Sequence, residues 1–199
     1  MSRSITRLGL LVLLACIAGW MIPAYAAEVP LETIARFDAH AQEYPEGVGV
    51  DASGNLYVSL SYIGEIRRIA PDGSQFTVAR LHVGGGYVLG LAVAPDGAIY
   101  VAVPATPQKD LGLWRIQDGV ATRVAGLDPK GFPNDVAIDG AGNVYVSDSA
   151  LGAVWKVAPT GVAAIWIQDP LLEGDRTAFG FGANGLELRD GALYVNNTS

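Results

Sequence analysis

One phrase recurs four times along the chain, and this repetition limits the fold more than any other feature. It reads GVGVDASGNLYVS over Gly47–Ser59, GLAVAPDGAIYVA over Gly90–Ala102, DVAIDGAGNVYVS over Asp135–Ser147 and GLELRDGALYVN over Gly185–Asn196, the last with a turn one residue shorter. Each copy is an alternating apolar run, a tight turn of Asp, Gly or Asn, and a second run of Val, Ile, Leu and Tyr. Alternation with a period of two marks a half-buried strand. A glycine able to take positive φ at Gly54, Gly97, Gly142 and Gly191 then closes each pair of runs into a hairpin.

The tyrosines that anchor the copies, Tyr57, Tyr100, Tyr145 and Tyr194, lie 43, 45 and 49 residues apart. Two further short runs follow each of the first three hairpins. Gly64–Ile69, Leu113–Ile116 and Val154–Val157 form the first set, and Phe76–Arg80, Ala121–Ala125 and Ala163–Ile167 form the second. Four antiparallel strands in a repeat of this length make a β-propeller blade. The expected architecture is therefore all-β, with blades near 46–81, 89–126 and 134–168 and the first hairpin of a fourth at 184–199. Leu31–Phe37 reads as an isolated strand ahead of the first blade. Arg68, Arg115 and Lys156 fall at matching outer-strand positions, as expected for a solvated blade face, and Trp114 and Trp155 are expected to pack between blades. A propeller closes with about four to eight blades, so three and a half read as a portion of a longer product, or as a chain that self-associates through open propeller edges.

Residues 1–26 read as a secretory signal peptide. Arg3 and Arg7 precede an apolar run from Leu8 to Ile22, and Pro23-Ala24-Tyr25-Ala26 offers the small residues of a cleavage site. The expectation is export to the periplasm or the extracellular space, with residues 27–199 as the mature partial propeller and no stable membrane span after cleavage. The alternative is a lipoprotein anchored at Cys16, because Leu13-Leu14-Ala15-Cys16 resembles a lipoprotein box. Cys16 is the chain's single cysteine, so neither a disulfide framework nor a cysteine zinc site is available. With 13 Lys and Arg against 20 Asp and Glu, the net charge is −7. Without a basic run, nucleic acid is excluded as a partner.

The residue that opens each inner strand is found by counting back eleven from the tyrosine, or ten in the shorter fourth copy: Glu46, Leu89, Asn134 and Asn184. Equivalent ends of the innermost strands of a propeller face one mouth of its central channel. One carboxylate and two carboxamides at a single level form an all-oxygen set. Such a set suits a hard divalent cation, Ca²⁺ above all, with Zn²⁺, Mg²⁺ and Mn²⁺ as alternatives. Singly, any of the three is explained as a side chain capping its own turn; the shared repeat position favours the metal reading. Asp148 reads as a turn former, His40 and His82 as loop residues, and Gly84-Gly85-Gly86 as a flexible loop that lacks the helix and lysine of a phosphate cradle.

YPEGVGVD, PNDVAIDGAGNVYVSDS and ANGLELRDGALYV together resemble the family of senescence marker protein, gluconolactonase and luciferin-regenerating enzyme. The resemblance implies an incomplete six-bladed β-propeller with a divalent metal at one channel mouth, and an activity on lactones or related esters. By position it implies metal ligation by Glu46 and Asn184, and contact with metal and substrate by Asn134. It also implies a further aspartate ligand and base in a fifth blade, so this product alone is expected to be inactive. Phe132 stands where animal members that hydrolyse sugar lactones carry a substrate-contacting arginine. Two other readings share the hairpin phrase: a non-enzymatic propeller of NHL-type repeats acting as a binding module, and a strictosidine-synthase-like propeller.

Overall fold

The computed structural model describes residues 31–175 and 180–198. The signal segment and the Cys16 alternative lie outside these residues. Among the described residues no helix is long and apolar enough to cross a membrane.

Fourteen strands form four antiparallel sheets among the described residues. The first sheet is β1 (Pro45–Val50), β2 (Leu56–Leu60), β3 (Glu65–Ile69) and β4 (Gln75–Arg80). The second is β5 (Leu91–Val93), β6 (Ile99–Val103), β7 (Gly112–Gln117) and β8 (Val120–Gly126). The third is β9 (Pro133–Ile138), β10 (Val144–Asp148), β11 (Ala153–Val157) and β12 (Ala163–Gln168), and β13 (Ala183–Arg189) pairs with β14 (Ala192–Asn197). Strands follow one another in sequence order within every sheet. The opening strands meet across sheets, β1 against β5, β5 against β9, and β9 against β13. This is the up-and-down blade of a propeller with its first strand innermost, and the chain holds three full blades and the inner hairpin of another.

The repeated phrase has a local physical cause. In the first blade Asp51 Oδ1 accepts the backbone N–H groups of Ser53 and Asn55, both at 2.9 Å. Its Oδ2 accepts the Asn55 amide at 2.7 Å and the Tyr57 hydroxyl at 3.2 Å. In the third blade Asp139 accepts from Ala141, Asn143 and Tyr145 in the same way, atom for atom. One carboxylate thus fixes the turn, the asparagine and the anchor tyrosine together. Gly54, Gly97, Gly142 and Gly191 all have φ between 77° and 81°, as the turns require.

Apolar side chains from facing blades fill the space between sheets. Ile66, Val101, Leu113, Ile116 and Val146 belong to one cluster that spans the first three blades. The outer cations do not stand free in solvent as expected. Arg115 lies 6.0 Å above the Tyr100 ring, Lys156 lies 5.5 Å above Tyr145, and Arg68 lies 5.8 Å above Phe76. Aromatic faces next to them in the sheets hold these stems down. Trp114 and Trp155 pack against the cluster as expected.

Residues 33–38 form no strand, against the expectation for Leu31–Phe37. An extended segment becomes a strand only with a ladder partner, and this one is held by side chains instead. Ala35 and Phe37 pack against Val58, Leu60 and Ile69, and the Arg67 guanidinium lies 5.8 Å above the Phe37 ring. The glycine loop is also tethered rather than free: Gly84 N–H donates to Asp110 Oδ2 at 3.3 Å and Gly86 bridges Ala105.

Candidate metal centre at the channel mouth

Glu46, Asn134 and Asn184 are each the second residue of their inner strands, β1, β9 and β13. All three fall in a break of register. The ladder runs from Pro45 opposite Leu60 to Val48 opposite Val58, from Pro133 opposite Asp148 to Val136 opposite Val146, and from Ala183 opposite Asn197 to Leu186 opposite Val195. Two residues therefore oppose one, which is a β-bulge, a device that re-aims side chains next to functional sites. In each bulge the second residue's amide is taken by a side chain across the pair. Gly47 N–H donates to Ser59 Oγ at 2.7 Å, Asp135 N–H to Ser147 Oγ at 2.9 Å, and Gly185 N–H to Asn196 Oδ1 at 2.7 Å. Ser59, Ser147 and Asn196 are all two residues after the anchor tyrosine, a regularity legible in the repeat that sequence reasoning passed over.

The second blade departs from this pattern. Leu89 stands at the polar position and Ala102 at the serine position. Gly90, lacking a side-chain acceptor, donates instead to the carbonyl of Asn134 in the next blade at 2.8 Å. The third blade reaches on in turn, because Asp135 Oδ2 accepts the N–H of Leu186 at 2.8 Å while Oδ1 accepts Val136 N–H. Asp135 occupies the place of Gly47, Gly90 and Gly185 and staples the third blade to the fourth. It too was missed in the sequence, where one aspartate among three glycines carries no signal.

The electrostatics of the mouth differ from residue to residue. Glu46 stays open to water, yet protein crowds around it on several sides. Desolvation, with the nearby Asp135 charge adding to it, lifts its carboxyl from an ordinary 4.5 to about 7. Burial also raises Asp135, while the Leu186 and Val136 amides pull the other way. Asn134 is buried, and its Oδ1 has no hydrogen-bond partner. An orphan buried acceptor is costly unless something supplies a positive charge or a proton. Asn184 donates from Nδ2 to Thr198 Oγ1 at 2.8 Å, which fixes its amide plane.

The donor chemistry therefore fits a hard cation: a crowded carboxylate, a buried unpartnered carboxamide oxygen and a second, oriented carboxamide. Among the described residues no three His, Cys, Asp or Glu side chains gather as a metal cluster, so the set depends on its two amides. Asp148 is not part of it. Fully buried, it accepts from the backbone of Phe132, Ala150 and Leu151 and from Trp155 Nε1, as a turn-forming residue should. Below the mouth a cavity of about 590 Å³ follows the inner strands, with Val48, Leu91, Val136 and Leu186 on its wall.

No protein-family model matches the chain, and no curated protein matches it. Solved structures do. A structure named as a candidate gluconolactonase is 20% identical with a TM-score of 0.61, covering 84% of this chain and 60% of its own. The nidogen/laminin complex matches at 18% identity and a TM-score of 0.63, over 83% and 59%. The PQQ-bound aldose sugar dehydrogenase of Streptomyces coelicolor matches at 19% and 0.61, over 83% and 58%. The chain thus has the fold of these proteins and spans about three-fifths of the length of each.

Proposed function

We propose that this chain forms the metal-binding side of a metal-dependent hydrolase of lactones or related esters, gluconolactonase-like in kind. The observation that carries the reading is Asn134 Oδ1, buried without a partner at the same bulge position that presents Glu46 and Asn184. A propeller scaffold without chemistry has no use for that arrangement, which argues against a plain binding module; the fold alone does not decide. Export through the signal segment, with release after residue 26, belongs to the same proposal.

Glu46, Asn134 and Asn184 would hold the cation, Ca²⁺ by donor chemistry, with Zn²⁺, Mg²⁺ and Mn²⁺ as alternatives. A bound divalent cation supplies Lewis-acid polarisation of the substrate carbonyl. The residues themselves do the rest. Asn134 is held rigidly between blades, since its backbone carbonyl accepts from Gly90. It would orient the carbonyl oxygen of a small lactone or ester. Glu46 is a ligand in this reading and not the base. Asp135 is a poor base, because each of its oxygens already accepts an amide. Hydrolysis would therefore require a ring completed around this mouth, by further blades or by a second copy joined through open edges.

Calorimetric titration of the chain with Ca²⁺ tests the reading. It should show one site that Glu46→Ala abolishes and Asn134→Ala weakens by about tenfold or more. Identical titrations for the chain and for Glu46→Ala would overturn it. So would lactone hydrolysis that chelator leaves unchanged.

A further inference from the structure

The mouth carries a second feature that the metal reading does not use. Tyr44 precedes β1, Tyr62 follows β2 and Tyr87 precedes β5, so the up-and-down topology brings all three to the end where Glu46 lies. Their rings form a ladder. Tyr44 and Tyr62 stand 5.1 Å apart at 61°, and Tyr62 and Tyr87 stand 5.2 Å apart at 67°. Buried Ser61 ties the three segments together. Its N–H donates to the Tyr44 carbonyl at 2.9 Å, and its own carbonyl accepts from Val88 N–H at 3.2 Å. The rings are thus ordered yet exposed, Tyr62 most at 58%. Rigid aromatic side chains held at the surface without burial offer a ligand contact area at little entropic cost.

Beside Tyr62 runs an open groove of about 310 Å³ between the first and second blades, formed by the loops at 62–64 and 81–86. It presents more polar than apolar surface, much of it main chain. The backbone N–H and C=O groups of Ile63, His82 and Val83 bond to no other group among the described residues. The loop that carries them is nonetheless fixed. Leu81 N–H donates to the Gly64 carbonyl at 2.8 Å, Gly84 N–H to Asp110 Oδ2 at 3.3 Å, and Tyr87 N–H to the Pro104 carbonyl at 3.0 Å. The groove therefore holds open donors and acceptors in set positions. Water satisfies such groups until a ligand with matching groups displaces it.

We infer that the groove and the tyrosine ladder together bind a neutral sugar ring. A pyranose has a face of C–H groups and a rim of hydroxyls. The C–H face lies against an aromatic ring, which Tyr62 offers, and each hydroxyl can both donate and accept, which the groove backbone requires. A purely apolar ring would displace water from that backbone and return no hydrogen bonds, so it is disfavoured. A neutral sugar is preferred to an acidic one. Arg67 and Arg80, at the same end of the first blade, are engaged by Glu43 and Glu65, and the Asp110 carboxylate stands at the Gly84 end of the groove. Being open, the groove grips one side of the ring and leaves the rest in water. The inference does not rest on the hydrolase reading, since this sugar needs no ester or lactone.

Saturation-transfer NMR on the chain with chelator present tests this, using methyl β-glucopyranoside, its glucuronate counterpart and cyclohexanol as probes. The glucoside should bind about tenfold more tightly than cyclohexanol, which keeps the ring but only one hydroxyl. It should bind about threefold more tightly than the glucuronate. Tyr62→Ala should weaken glucoside binding by about tenfold, and Tyr62→Phe, which keeps the ring face, should preserve it. Glu46→Ala should leave glucoside binding intact, and Tyr62→Ala should leave Ca²⁺ titration intact, so the two proposals fail separately. No transfer to the glucoside, or equal or tighter binding of either other probe, would overturn the inference. So would glucoside binding that Tyr62→Ala leaves unchanged or that Tyr62→Phe abolishes.

Discussion

The first and third blades and the second have the same four-strand order, but different chemistry at the mouth. In the first and third, a serine two residues past the anchor tyrosine takes the bulge amide, and the position before the bulge amide is Glu46 or Asn134. In the second the equivalent residues are Ala102 and Leu89, both buried, and the amide of Gly90 crosses to the next blade. The same division holds at the turns. Asp51 and Asp139 each tie an asparagine and a tyrosine, whereas Ala94 has no carboxylate to offer. A blade can therefore be built either way. What the fold does not demand is a polar residue at the place of Glu46 and Asn134, since buried Leu89 fills it in the second blade.

The comparison is most sharply broken at Gly90. A Cβ there would lie 2.0 Å from Asp135 Oδ1 and 2.6 Å from its Cα, whereas at Gly185 nothing comes closer than 3.4 Å. Gly90→Ala should cost about 3 kcal/mol through forced separation of two blades, and Gly185→Ala less than about 1 kcal/mol. Urea midpoints at unchanged slope give the difference. Comparable losses at the two sites would show that the blade boundary yields. The turn carboxylates come next. Asp139→Ala removes two carboxylate oxygens that accept four hydrogen bonds in one turn and should cost about 2 kcal/mol by the same measurement.

The serines give the third test. Ser147→Ala leaves the amide of Asp135 without its acceptor and should cost about 1.5 kcal/mol. The reverse change in the second blade, Ala102→Ser, should bring no gain, because Gly90 already has Asn134 and the new hydroxyl is fully buried. A stabilised Ala102→Ser would mean that Gly90 prefers its own blade, and that the bridge to Asn134 is incidental.

What could be read from the sequence follows this division. Turn chemistry is local: aspartate, glycine, asparagine and tyrosine stand within seven residues of one another, so the hairpins and their spacing are legible. The positions of Glu46, Asn134 and Asn184 are legible because they keep a fixed distance from that local signal. The hydrogen bonds that cross between blades are not. The Asp135 link to Leu186 joins residues 51 apart, and the Gly90 link to Asn134 joins residues in different repeats. The tyrosine ladder is carried by irregular loops, where neither period nor turn chemistry gives a side chain its direction. Residues 33–38 failed as a strand for a related reason, since apolar alternation cannot say whether a ladder partner exists.

Glu46 provides the smallest effect and the sharpest contrast between a residue kept for the fold and one kept for a ligand. Its carboxyl titrates at about 7 in the folded chain, against an ordinary 4.5. Between these two values the folded state holds a proton that the unfolded chain has released. The group's contribution to stability is therefore fully present below about pH 4.5 and is lost as pH rises through about 7. Glu46→Gln removes the titration. With chelator present it should match the parent near about pH 4 and exceed it by on the order of 1 kcal/mol near about pH 8, a modest figure because water still reaches the side chain. Leu89, at the matching place in the second blade, has no such titration, and Leu89→Gln should instead destabilise at every pH by burying an amide. Denaturation curves at the two pH values decide the matter. A Glu46→Gln variant less stable than the parent at high pH would mean that the carboxylate is satisfied within the fold, and that its place at the mouth needs no cation to explain it.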